Sequence, residues 1–398
     1  MSNSILTPTA VTREVQRVLH ANLGFTKKVN RQYDSQFAKS GGKIGDSLKI
    51  RLPNQYTVRT GKTLVAQDTS ETSVTLQVAN QIGVDMNFSS AEMTLELDDF
   101  SKRIIEPAVK RLASYIDQQG LSEFTNIYNR VGTAGTTPNT ALVYLQAGQK
   151  MNEYMAPMDD RCVVINPAAQ AATVNALTGV FNPSAAISKQ YTKGAMGEAL
   201  GFDFVMDQNV QTLTCGSRVG TIVIDGTVST EGSTTIHVDG LTNATDTWAA
   251  GDTFTVANVN AVNAEGQDLG TLQIFTVTTA ATAASNEVDL TVSPAMYSTG
   301  ARQTISAFPQ DGAAVTPFGT ASTGYVQNMA FHKDAFTLAT ADLEMPSGVD
   351  FAAREVMDGV SMRLVRNYDI NNDNFPCRLD ILFGWKTIRP ELACRVSA

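Results

Sequence analysis

Apolar residues recur at helical spacing over one long stretch of this chain, 98–128, where Phe100, Ile104, Ile105, Ala108, Val109, Leu112, Ala113, Ile116, Phe124 and Ile127 fall mostly on one face. Pro107 lacks a backbone N–H and suits a first turn, so the pattern predicts a lead-in turn and then a helix over 106–128. Such a helix is roughly 30 Å long, close to the width of a domain. Gly120 weakens it by about 1 kcal/mol relative to alanine. Lys102, Arg103, Lys110, Arg111, Asp117 and Gln118 fall on the other side, which predicts one wet face for this spine.

Elsewhere the periods are shorter. Residues 9–23 place Val11, Val15, Val18 and Leu19 on one side, between a Thr9 N-cap and a closing Gly24, and predict an amphipathic helix. The mixed-charge, turn-rich stretch 29–47 suits an extended arm. Residues 48–52 read as a strand ended by Pro53, and the alternating sets Val74, Leu76, Val78 and Ile82, Val84, Met86, Phe88 read as two more. Between them NQYTVRTGKTLVAQDTSETS runs polar and unpatterned. A loop of about twenty residues is unusual inside a compact domain and is expected to dock onto something outside it.

Beyond the spine, 140–155 predicts a helix with Leu142, Leu145, Met151, Tyr154 and Met155 on its apolar side. Residues 162–165 predict a short buried strand, 167–177 an alanine-rich helix opening on Pro167, and 202–206 another strand. This alternation makes the class α+β. From Cys215 to Phe318 helical patterning stops, and six runs alternate as strands do: 221–225, 234–238, 253–257, 272–278, 287–292 and 303–308. Asp225-Gly226, Asp239-Gly240 and Gly251-Asp252 punctuate them, which predicts a small inserted sandwich or barrel. The mixed pattern then resumes with a strand at 325–331 and a short turn at HKDAF. Strands 361–369 and 378–385 flank the turn INNDNFP as a hairpin packed on the spine, and 388–396 predicts a last strand.

Composition narrows the class. At 398 residues and 17% charged, the chain is a globular protein with room for two or three domains. It has no apolar run of membrane-spanning length and no basic-then-apolar start, so a cytosolic chain with no membrane partner is expected. Cys162, Cys215, Cys377 and Cys394 are scattered without a paired spacing and are expected as free thiols. Charge is uneven. Residues 1–60 hold ten Lys/Arg against three Asp/Glu, whereas 215–318 hold two Arg against ten Asp/Glu and no lysine. A basic arm and an acidic insert suit contacts between copies of the chain, or between the arm and an acidic partner.

Chemistry is sparse. His20, His237 and His332 lie in unrelated contexts, so spacing assembles no metal cluster or His-centred triad, and GxxxxGK[ST], GxGxxG and GxSxG are missing. Asp369, Asn371, Asp373 and Asp380 approach calcium-loop spacing, but Asn374 stands where glycine is needed and the twelfth position is Asp, so an Asn-rich turn is the plainer reading. Asn87 and Asn243 head glycosylation sequons that mean little without a secretory signal. Lys62 in the long loop reads as a solvated lysine, with an ion-pairing or cross-linking role as the alternative. Arg13, Arg17, Lys27, Lys28 and Arg31 could meet phosphates, but they lack interleaved aromatics in an acidic protein. No catalytic, cofactor-binding or metal residue is assigned, and no cofactor is expected.

The order of parts resembles the major capsid proteins of tailed phages with the Hong-Kong-ninety-seven fold, and more narrowly the P-twenty-two-type coat proteins. The resemblance is carried by REVQRVLHANLGFTKKVNRQY in the arm, KIGDSLKIRLP before the loop and DDFSKRIIEPAVKRLASYID at the spine. It continues through QYTKGAMGEALGFDFVMDQNV, GDTFTVANVNAVN, FHKDAFTLATADLEMP and RLDILFGWKTIRPELACRV. It implies an α+β capsid fold with a long spine helix, an extended β-loop and an inserted all-β barrel. The implied divisions are an N-terminal arm (1–46), the extended loop with its flanking strands (47–88), and the spine of a peripheral domain (89–139). An axial domain (140–214), the inserted barrel (215–318) and a return to both domains (319–398) follow.

The implied function is assembly, with the chain forming pentamers and hexamers of an icosahedral shell around double-stranded DNA held without sequence-specific binding. Partners implied by the resemblance are a separate scaffolding protein, a portal protein, and decoration proteins as a further option; the start at Met1 goes with the expectation that no N-terminal scaffolding segment is removed. Assembly in the host cytoplasm goes with this. The isopeptide cross-linking of another branch of the fold is not implied. The rivals are a decoration or tail component, against which the spine and its preceding loop speak, and an enzyme built on carboxylates such as Asp98, Asp99 and Asp159.

Overall fold

The computed structural model describes residues 17, 19, 23–31, 46–64, 66–67, 71–89, 106–177, 197–357 and 360–397. They fall into two compact units, one made of Met1–Arg51, Ser73–Gly120 and Phe336–Lys386, the other of Leu52–Thr72, Leu121–Ala335 and Thr387–Ala398.

The spine of the first unit is helix α1, Glu106–Leu121. It is shorter than the 106–128 pattern predicts, about 24 Å. After Gly120 the chain tightens into a 3-10 turn, Ser122–Asn126, in which Thr125 Oγ1 donates back to the Ser122 carbonyl at 3.3 Å. Val109, Leu112, Ala113 and Ile116 are buried as the pattern requires. Asp117 is the exception. It was expected on the wet face and is 1% exposed. Most of the predicted 9–23 helix lies outside the described residues, although Arg17 and Leu19 are helical, and so does the 98–105 lead-in.

Gly120 has a packing reason. A Cβ there would stand 2.6 Å from Trp385 Cζ2 and 2.8 Å from Phe25 Cε1, so the helix gives up propensity to let two rings close on its backbone. Trp385 belongs to the long strand Asn374–Thr387, which pairs with Val360–Arg366 as the predicted hairpin, Arg363 facing Asp380. Asn80–Ser89, Phe336–Ala341 and Phe351–Met357 complete this sheet. The last two are strands that the sequence reading missed. A separate antiparallel ladder joins Asp46–Arg51 to Ser73–Val78, and the chain leaves it at Arg51 and re-enters at Ser73.

In the second unit a seven-stranded sheet runs in the order Arg130–Val131, Ala393–Ser397, Gly324–His332, Arg161–Ile165, Phe202–Met206, Gly197–Ala199, with Thr212–Thr214 also on Gly324–His332. The predicted 388–396 strand starts late because Pro390 has no N–H for a ladder and opens a 3-10 turn instead. Helices α2 (Ala141–Glu153) and α3 (Pro167–Leu177) are linked through Tyr144, whose hydroxyl lies 2.9 Å from Thr173 Oγ1 and whose ring meets Phe204 edge-on. On α2 the buried face matches the sequence pattern at Met151 but not at Leu142, Leu145 and Met155. Tyr144, Ala147 and Met151 point inward, whereas Leu142 is 61% exposed, Leu145 49% and Met155 47%.

The insertion is a six-stranded sheet in the order Val315–Pro317, Thr253–Val262, Asp268–Val277, Val288–Met296, Ser233–Leu241, Gly220–Ile224. Its edges nearly close into a barrel, since Ile224 N donates to the Ala313 carbonyl at 2.9 Å and Val223 bridges Ala314. Trp248, Phe254, Phe275 and the inward Ile236, Val238 and Leu290 fill it. Five of the six predicted strands are present. The sixth, 303–308, makes only the bridge from Ile305 to Ala261, with further backbone bonds to Asn260, Val262 and Tyr297, and Val315–Pro317 forms the edge.

Candidate assembly surfaces and the buried arginine junction

The loop Leu52–Thr72 holds its shape with its own hydrogen bonds. Leu52 N donates to the Thr72 carbonyl at 2.9 Å, Thr57 N to Gln67 Oε1 at 2.9 Å and Gln67 Nε2 back to the Thr57 carbonyl at 2.6 Å. Arg59 closes the tip on the carbonyls of Gly61 and Thr63, and Gly61 takes φ +99 there. Among its described residues the loop leaves Val58 94%, Leu64 82% and Tyr56 59% exposed. Apolar side chains set in water on a braced scaffold make this loop a candidate contact surface. Lys62 stands exposed beside the tip.

The arm is tied to the spine by Asp117. Its carboxylate accepts Gly24 N–H at 2.7 Å, Thr26 N–H at 3.0 Å and the Thr26 hydroxyl, so it satisfies the free donors at the start of the 3-10 turn Phe25–Lys28. Phe25 is buried between Trp385 and Phe336, at ring separations of 5.4 and 5.6 Å. Asn30 then joins the strand Phe336–Ala341 through Asn30 N to the Phe336 carbonyl and Leu338 N to the Asn30 carbonyl.

Within the second unit, two buried arginines join the barrel to the seven-stranded sheet. Arg395, fully buried on the strand Ala393–Ser397, donates through Nε to the Ile127 carbonyl at 2.8 Å. Its Nη1 reaches the Gly251 carbonyl at 2.7 Å and its Nη2 Thr276 Oγ1 at 2.9 Å. Arg130 lies 3.0 Å above the Phe318 ring and donates to Thr253 and Ser397. Arg218 pairs with the buried Asp252 at 2.7 Å. Thr276 Oγ1 to the Thr125 carbonyl and Tyr154 to Gln273 add further links. Burial lowers the Arg395 pKa to about 10, and burial together with the Arg395 charge pulls Arg130 well below its ordinary value. Arg395 is held by carbonyls and a hydroxyl, and Arg130 by two hydroxyls and the Phe318 ring, rather than by a dedicated carboxylate. Burial pushes the Cys394 thiol up to about 12 and Cys377 to about 11, far from thiolate reactivity.

The residues that the sequence singled out do not converge. Asp369 caps Asn371 N and the Asn372 amide, Asp373 accepts Tyr368, and Asp380 is buried between Arg363 and Arg378 at 2.6 and 2.7 Å. Asp159 is exposed, Asn243 is tied to Asp246, and Asn87 sits on the strand Asn80–Ser89. Asp98, Asp99, His20 and Arg13 lie outside the described residues. Arg130 and Arg395 were missed, although a charge inside the apolar run ELACRV was a usable sign.

Among the described residues no helix is long and apolar enough to cross a membrane. By structure the chain is similar to a protein of Mycobacterium phage Che8 at 13% identity, TM-score 0.46, covering 94% of this chain and 90% of that one. It is also similar to the capsid of Ralstonia phage GP4 (9%, 0.46, 93% and 87%) and to that of Cyanophage P-SCSP1u (10%, 0.43, 88% and 83%). No curated protein matches the sequence. The family described as "P22 coat protein - gene protein 5" matches residues 3–395, so the chain belongs to the P22 coat protein family and is a major capsid protein of a tailed phage, a subunit of an icosahedral shell.

Proposed function

We propose that the shell closes through two grips on neighbouring copies, the loop Leu52–Thr72 and the basic N-terminal arm, and that the chain performs no catalysis. The observation that carries this reading is the loop, whose Val58 and Leu64 are almost wholly exposed on a hydrogen-bonded scaffold. Each contact is modest alone, and many repeated ones hold a lattice. Leu142 and Leu145 of α2, and Met155 in the turn after it, are exposed as well and suit contacts around pentamer and hexamer centres in the division 140–214. The spine (89–139) belongs to the peripheral part, the return (319–398) serves both the axial and the peripheral parts, and the barrel (215–318) supports folding and contacts between capsomers. A separate scaffolding protein, a portal and double-stranded DNA are the remaining partners, with assembly in the host cytoplasm. The acidic barrel suits DNA held without adhesion.

Co-expression with the neighbouring reading frames of its genome, followed by a sizing gradient and electron microscopy, tests this. The native chain is expected to give closed shells of uniform diameter. The double variant V58D/L64D is expected to melt like the native monomer yet yield no closed shells, because carboxylates forced into a dry contact lose hydration without gaining a partner. Normal shells from that variant would remove the loop from the mechanism, and only monomers or small rings from the native chain would favour a decoration or tail role.

A further inference from the structure

We propose that His237, Asp225 and Glu287 bind one divalent transition-metal cation on the outer surface of the barrel, with Asp289 orienting the imidazole. The three ligands come from separate stretches that spacing along the chain does not connect. His237 alternates outward between the buried Ile236 and Val238 and pairs directly across the ladder with Asp289. Asp225 is fixed beside it, its N–H donating to the His237 carbonyl at 3.0 Å, and Glu287 immediately precedes the strand Val288–Met296 that pairs with His237's own.

The distances separate two kinds of contact. His237 Nδ1 lies 2.7 Å from Asp289 Oδ1, an ordinary hydrogen bond that fixes the ring and turns Nε2 outward. Nε2 lies 3.3 Å from Asp225 Oδ2 and 3.7 Å from Glu287 Oε2, and the three ligand atoms are within 4.8 Å of one another. Those spacings are longer than a good hydrogen bond. They match two ligands each about 2.0–2.1 Å from a shared ion at a tetrahedral angle, which stand roughly 3.4 Å apart.

Two further observations favour a cation. Asp239, two positions along the same strand and so on the same face, has its Oδ1 shielded without a hydrogen-bond partner. Residues 215–318 hold ten acids and no lysine, and one of their two arginines, Arg218, is buried against Asp252, so little positive charge competes for the cluster. One imidazole with two carboxylates suits zinc, manganese or nickel, and the half-exposed position leaves room for water ligands. The carboxylates also raise the His237 pKa, Asp289 contributing most, so an imidazolium held by the same acids is the competing occupant.

Isothermal titration of the unassembled full-length chain with zinc chloride after chelator treatment decides between them, and it does not depend on shell formation. One ion per chain is expected. D289N is expected to weaken binding by about 10- to 100-fold, and H237N to abolish it while melting like the native chain in chelator. X-ray absorption of the native zinc complex should give one imidazole nitrogen and carboxylate oxygens in the first shell, a readout that needs no variant. No stoichiometric binding by the native chain, binding that survives H237N, or a shell without imidazole would each overturn the site.

Discussion

Arg395→Ala is expected to destabilise the unassembled chain by about 3–5 kcal/mol, enough to consume a large part of a typical domain's stability. The side chain is fully buried and serves three acceptors at once, the Ile127 and Gly251 carbonyls and Thr276 Oγ1. Alanine leaves those acceptors in a closed space and opens a cavity where the guanidinium stood. The neighbourhood cannot collapse easily, since even a Cβ on Gly251 would come within 3.1 Å of Phe124. Arg395→Lys is expected to recover part of the loss, because an ammonium keeps the charge but not the planar fork that reaches three directions.

The two tryptophans make the prediction specific. Trp248 is buried in the barrel and Trp385 in the other compact unit, so Trp→Phe backgrounds report the two separately during urea unfolding. With Trp248 as reporter the midpoint should fall sharply in Arg395→Ala. A loss below about 1 kcal/mol would show that the barrel holds to the sheet by its other links, and the junction would lose its central residue.

The parts legible in the sequence are those in which one face is wet. Strands such as Ser233–Leu241 alternate because Ile236 and Val238 fill the barrel while His237 and Asp239 take the alternate positions on the other face, and period two shows this directly. The spine's buried stripe was legible for the same reason. What failed was assigning faces by hydrophobicity alone. Leu142 and Leu145 read as core but are exposed, and Asp117 reads as surface but is buried, because a protein that contacts copies of itself displays apolar groups and buries a charge wherever partners are supplied. Arg395 and Arg130 were illegible in another way: their acceptors at Gly251, Thr253 and Thr276 lie more than a hundred residues away, and no local pattern encodes such a pairing. The His237 cluster is hidden likewise, since three stretches meet only after the barrel closes.

The arm offers the second large effect. Asp117→Ala removes the acceptor for Gly24 N–H, Thr26 N–H and the Thr26 hydroxyl, and Thr26 is fully buried. Unpaired buried donors cost about 1–3 kcal/mol each, and release of the segment relieves that cost, so the expected response is local opening rather than global unfolding. A shift of about 2 kcal/mol raises the opened population roughly thirtyfold, and trypsin cleavage at Lys27 and Lys28 should accelerate by that factor. Trp385 fluorescence should change as Phe25 leaves its ring, while the barrel's Trp248 stays silent. Asp117→Asn, which keeps one carbonyl oxygen for the same donors, should open less. Because the arm is one of the two proposed grips, Asp117→Ala should also lower the yield of closed shells, while the monomer melting temperature falls by no more than a few degrees. Equal cleavage rates in the variant and the native chain would mean that Phe25 and the Asn30 pairing hold the arm without the carboxylate, and the spine's buried acid would then need another explanation.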